Sequence, residues 1–189
     1  MNITERQLRP TAVHAAVGLL CISTLLATGI GYCASPIRYI GAFTNVRYTA
    51  EHAYGYTVQL WRQGDGLIGL LLDAQGSQAD VPTGLLEEVR FDPARGTLSF
   101  KAKLSIAVVY RGQGKQEPTQ DLFTFTGSLH DQVLSGVLTH EDRLLPKSAP
   151  TKENIRLINS RNFVALDATD LDEWNVKVKQ ILQTRGPKW

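Results

Sequence analysis

The chain has 189 residues, 20 of them Lys or Arg against 18 Asp or Glu, for a net charge of +2 and a hydrophobic share of 43%. That balance offers no broad basic field for a nucleic-acid backbone, and the apolar content is too high for a disordered chain. The cysteines number 2, Cys21 and Cys33, so no disulfide staples anything beyond residue 34 and packing must hold the rest.

Residues 1–34 read as an export segment. Arg6 and Arg9 precede an apolar run from Ala12 to Tyr32 that ends in Cys33-Ala34-Ser35-Pro36. A positive start stays on the near side of a bilayer while the apolar run enters it, so the remainder is expected outside the cytoplasm, periplasmic or secreted. Three fates are open. Cleavage wants small residues one and three positions before the cut, which Gly31 with Cys33, or Ala27 with Gly29, supply. Lipidation at Cys33 would place the bulky Tyr32 where a small residue is wanted. An uncleaved anchor would use residues 12–32, close to the ~20 residues that span hydrocarbon. Membrane contact is expected only through that run or through a lipidated Cys33.

Residues 35–189 form one expected β-rich domain, because alternation with period two recurs between turn signals. Ile37–Phe43, extended toward Tyr48, opens the series. Tyr54–Arg62 and Leu67–Asp73 flank Gln63-Gly64-Asp65-Gly66 and predict a hairpin. Glu87–Asp92 leads through Asp92-Pro93-Ala94-Arg95-Gly96 into Thr97–Val108, whose even-numbered positions from Leu98 to Val108 are apolar. Asp121–Leu129 and Val133–Thr139 flank His130-Asp131-Gln132 as a third hairpin, and Glu153–Ile158 supplies a last strand. The period then changes. Leu171, Trp174, Val178, Ile181 and Leu182 fall on one face of a helix over 170–185, with Asp170 as its cap, Glu173 three residues on, and Gly186-Pro187 as its stop. Its apolar stripe is expected to pack on the outside of the sheet or to dock a partner.

About eight antiparallel strands in sequence close into a barrel or split into a two-sheet sandwich, since an open sheet would leave adhesive edges. Closure is expected, giving an up-and-down meander barrel with a C-terminal helix. This layout, over residues 37–184, resembles that of lipocalins and calycins. Their first strand is expected to carry Gly-x-Trp, where this chain has Gly41-Ala42-Phe43. A barrel of this size is either filled by its side chains or just able to admit one small ligand. Phe91, Phe100, Phe123 and Phe125 are large enough to plug it or to line such a cavity with Tyr56, while Gly69, Ala102, Gly127 and Gly136 on the same strands leave room.

Three connections are candidate binding loops. Ala74–Leu85, which includes Asp80, is long enough for a lid; Arg111–Pro118 reads as a flexible loop; Glu141–Lys152 carries scattered basic residues. Catalytic motifs are scarce. No G-x-S-x-G elbow, H-E-x-x-H pair, P-loop or C-x-x-C occurs, so neither cofactor nor metal is expected. His52 with Glu51 is the one acid–base pair that could serve a hydrolase or isomerase. His140-Glu141-Asp142 has metal-ligand residue types, but consecutive strand residues face apart and cannot converge on one ion. By the same rule Glu87 and Glu88 are expected on opposite faces, and Trp189 is expected to be disordered or an exposed anchor. The functional expectation is a non-catalytic exported barrel that binds a small apolar ligand or an envelope protein, with low-specificity catalysis or a structural role in an envelope assembly as alternatives.

Overall fold

The computed structural model describes residues 35–76, 81–145 and 148–189. Residues 1–34, the stretch read as an export segment with Cys33 included, and Asp80 of the candidate lid lie outside the described residues. In chain order the elements are β1 (Ile37–Thr44), β2 (Arg47–Tyr48), β3 (Ala53–Gln63), β4 (Gly66–Gly76), β5 (Thr83–Asp92), β6 (Thr97–Leu104), β7 (Val108–Arg111), β8 (Lys115–Pro118), β9 (Asp121–His130), β10 (Val133–Asp142), β11 (Thr151–Asn159) and helix α1 (Leu171–Arg185).

Strands β1, β3, β4, β5, β6, β9, β10 and β11 pair antiparallel with their neighbours in that order, and β1 pairs with both β3 and β11 to close the ring. The chain is therefore a closed eight-stranded up-and-down barrel with one short additional strand, β2, on the start of β3. Closure removes the sandwich alternative. Beyond the ring, the β3–β4 hairpin continues as a ribbon in which Ala53 pairs with Gly76 and Gly55 with Ala74. The turn between β5 and β6 follows from its residues: the Ala94 and Arg95 N–H groups donate to Asp92 Oδ1 at 2.9 and 3.2 Å, and Gly96 takes φ +65°.

The interior is filled. All eight ring strands contribute, among them Phe43, Leu60, Leu71, Leu86, Phe100, Phe125, Leu138 and Leu157. The glycines expected to leave room do not. A Cβ on Gly127 or Gly136 would meet the Phe125 ring at 2.7 or 3.0 Å, so that ring already occupies the space the two residues vacate. Helix α1 packs outside the barrel, where Trp174 meets Trp61 edge-on at 5.8 Å and Val178 joins Leu70 in a second apolar cluster. Asp170 Oδ1 accepts from Glu173 N–H at 2.9 Å, as a capping residue should.

Several local expectations are corrected. Thr97–Val108 is not one strand: β6 ends at Leu104, because Thr119 and Asp121 side chains take over the backbone of the next residues. Asp121 Oδ2 accepts from Ile106 N–H at 3.0 Å and Thr119 Oγ1 accepts from Ala107 N–H at 3.0 Å, which peels the chain into the separate β7–β8 hairpin. That hairpin occupies the stretch read as a flexible loop. Glu87 and Glu88 do not face apart. A bulge interrupts the β5–β6 register there, Glu88 takes φ +50°, and the two carboxylates meet Lys103 and Lys101 on the outer face. Trp189 is docked, its indole N–H donating to Leu104 O at 2.8 Å.

Candidate functional site

The apolar interior becomes polar at one end, where β4 and β10 finish and β3, β9 and β11 begin. Alternation carries the change. Asp73 follows Leu71, Asp121 precedes Phe123, His140 follows Leu138, Glu153 precedes Ile155 and Tyr56 precedes Val58, each two residues along the same inward face. The barrel mouth thus holds three carboxyls, an imidazole and a phenol above a greasy floor.

Asp121 and His140 form a close pair, with His140 Nε2 2.8 Å from Asp121 Oδ1 and Asp121 2% exposed. Burial alone would push the Asp121 carboxyl up, but hydrogen bonds from His140, Ile106 N–H and Thr119 hold it below the ordinary value. The bond to Asp121 raises His140 in turn, against the opposing effect of its own burial. The imidazole also stacks on Phe123, with ring centres 4.6 Å apart and planes at 10°, so its orientation is fixed from the face as well as the edge.

Asp73 has a different environment. It is 1% exposed, its carboxylate accepts from Gln75 Nε2 at 2.8 Å, and burial pushes its pKa up to about 7, outweighing that bond and the nearby His140. Tyr56 O–H donates to Glu153 Oε2 at 3.3 Å. Burial first, then the neighbouring Asp73 and Glu153, raises the phenol far above its usual range.

Of the mouth groups, Tyr56, Asp73 and Glu153 border a cleft of about 920 Å³. One wall is β11, through Glu153, Asn154 and Arg156; the other is the β3–β4 ribbon with Tyr54, Tyr56, Asp73 and Gln75; Asn45, Arg47 and His52 complete the rim. The cleft exists because β1 leaves the ring early. It pairs with β11 only at Phe43–Asn159 and Thr44–Ile158, whereas β10 pairs with β11 from His140–Thr151 to Val133–Ile158. A seam is left between β11 and the ribbon.

The expected site residues divide. Tyr56 and His52 line the cleft. Glu51 stands 4.0 Å from His52, but both side chains are exposed, 84% and 49%, so nothing fixes the pair for acid–base work. Phe100, Phe123 and Phe125 lie in the packed interior, Phe100 and Phe125 stacked at 5.0 Å. Phe91 is at the opposite end, under the Arg62 guanidinium at 5.1 Å. Asp73, Asp121, His140, Glu153 and Arg156 are absent from the expected set. The signal for the inward four was present: each continues an apolar alternation by one more step of two. What the chain order conceals is the partner of His140, which comes from the adjacent strand and not from its chain neighbours.

Among the described residues no group of three or more His, Cys, Asp or Glu side chains is placed to hold a metal ion, and no helix is long and apolar enough to cross a membrane. Comparison with protein-family models, curated proteins and solved structures finds no match for this chain.

Proposed function

We propose that the chain is an exported, non-catalytic binding module that holds an envelope protein partner in the cleft at the barrel mouth. The observation supporting this reading is the contrast between a filled interior and an open seam: a small apolar ligand has its expected volume occupied by Phe100, Phe123 and Phe125, while the cleft is large, of mixed polar and apolar lining, and edged by strand backbone. Tyr54 and Tyr56 offer amphipathic faces of the kind enriched where proteins meet.

A photo-crosslinking residue at Tyr54, in the cleft wall, and another at Thr97, near the far end, test it in living cells. A discrete protein adduct from Tyr54 and none from Thr97 is expected. Absence of an adduct from Tyr54, or the same adducts from both, overturns the reading.

Catalysis is the second reading, and one observation favours it: a carboxyl with a pKa near 7, Asp73, beside the Asp121–His140 pair. The two readings part on His140→Gln, which abolishes turnover in an enzyme and leaves the Tyr54 adduct in place in a binding module.

A further inference from the structure

We infer that the partner enters as an extended segment that adds to β11 as a strand, in the seam beside the β3–β4 ribbon, with basic side chains directed into the mouth. This rests on the cleft being a protein-binding site and specifies how it binds.

The backbone comes first. Asn159 N–H donates to Gln132 O on the β10 side at 2.8 Å, and Ser160 N–H donates to Ala42 O on the β1 side at 2.8 Å. Since successive residues of a strand alternate the edge to which their N–H and C=O groups point, Arg156, Asn154 and Lys152 turn theirs toward the seam. Among the described residues no strand pairs with that edge from Thr151 to Leu157, an unpaired length of about 20 Å at ~3.3 Å per residue. Unpaired strand edges recruit extended chains, and a peptide added there gains affinity from its main chain and selectivity from alternate side chains.

Charge then chooses the occupant. Side chains of an added strand alternate between the mouth and the outside. Inward ones would face Glu153, Asp73 and the Tyr56 ring, a setting for Lys or Arg at that depth, while Arg47, paired with Tyr54, and His52 at the rim keep the added cations to the part of the seam next to Glu153. Outward ones would run beside Lys152 and Arg156, a setting for Asp, Glu or a hydroxyl. A second copy fits poorly: antiparallel pairing of two β11 edges centred on Asn154 would set Lys152 of each against Arg156 of the other, and like charges directly opposite repel. The Tyr56–Glu153 hydrogen bond closes the floor beneath the seam, so the added strand rests on it.

The test selects binders from a displayed library of random octapeptides against the full chain, kept soluble in mild detergent. Enriched peptides are then resynthesised with backbone N-methyl groups on alternate residues, in each of the two phases. The expected result is enrichment of basic residues at every second position, with new amide-exchange protection at Lys152, Asn154 and Arg156. One N-methyl phase should weaken binding about tenfold or more per blocked hydrogen bond and the other should be tolerated. Asn154→Pro removes one seam-facing donor and should weaken the same peptides without touching the β10 ladder; should that variant fail to fold, the N-methyl pair decides alone. Peptides that bind the cleft, compete with the Tyr54 adduct and ignore N-methylation in both phases overturn strand addition while leaving the binding reading intact. Enrichment of no cleft binder, or protection confined to a second copy of the chain or to its own residues 1–34, overturns strand addition by a partner.

Discussion

Asp73 sits two residues beyond Leu71 on the inward face of β4, where burial takes its carboxyl out of water and raises its pKa from 3.8 to about 7. Between those values the folded chain keeps a proton that the unfolded chain has lost. The stability contributed by neutral Asp73 is therefore complete below about pH 4 and disappears as pH rises through 7. Asp73→Asn keeps the shape and the acceptor for Gln75 but cannot ionise. Urea denaturation should find the variant close to the parent at pH 4 and more stable at pH 8, by on the order of 4 kcal/mol for a rise of that size; an equal difference at both values would contradict the assigned burial. His140, also raised, adds to the loss on the alkaline side, whereas Asp121, held low, contributes stability that is lost only as pH falls through its own depressed value. Two carboxyls on one barrel end thus have their pKa values moved in opposite directions, because one has three donors on it and the other has chiefly burial.

Strand boundaries at the element scale are decided by side chains from distant parts of the chain. Thr119 Oγ1 accepts from Ala107 N–H at 3.0 Å and is itself bonded to the Asp121 carboxylate, so a single hydroxyl both ends β6 and anchors the β7–β8 hairpin. Thr119→Val should cost about 2 kcal/mol, the loss of a bond to a charged group with a donor left unpaired. Amide exchange should quicken across β7 and β8 while β9–β10 stays protected. Hairpin cores were legible from turn chemistry: Asp92-Pro93-Ala94-Arg95-Gly96 and His130-Asp131-Gln132 sit where the chain reverses. The ends were not. Each of β4, β10 and β11 runs beyond the expected limits, because ladder bonds to a neighbour extend a strand past the point where its own apolar alternation turns polar.

For the whole molecule the decisive quantity is interior volume. Phe125 stacks on Phe100 at 5.0 Å and fills the space beside Gly127 and Gly136, so the parent protein should take up no solvatochromic apolar probe inside the barrel. Phe125→Ala should cost about 3–5 kcal/mol and open a dry cavity that does bind such a probe. Saturable uptake by the parent would show the interior to be hollow. A filled core also frees the mouth from any need to admit ligands to the interior, and leaves the seam beside β11 as the place where chemistry and access coincide.

Period-two apolarity, three turn signals and a helical stripe after residue 170 were enough to specify the antiparallel meander, its closing helix and the side on which each interior residue lies. Those are properties of single segments, settled by which face must leave water. The pairing of Asp121 with His140 across two strands, the early departure of β1 and the Phe125 ring lodged over two glycines were decided only in three dimensions. Each depends on a distance between residues far apart in the chain, and alternation records a residue's face without recording what stands opposite it.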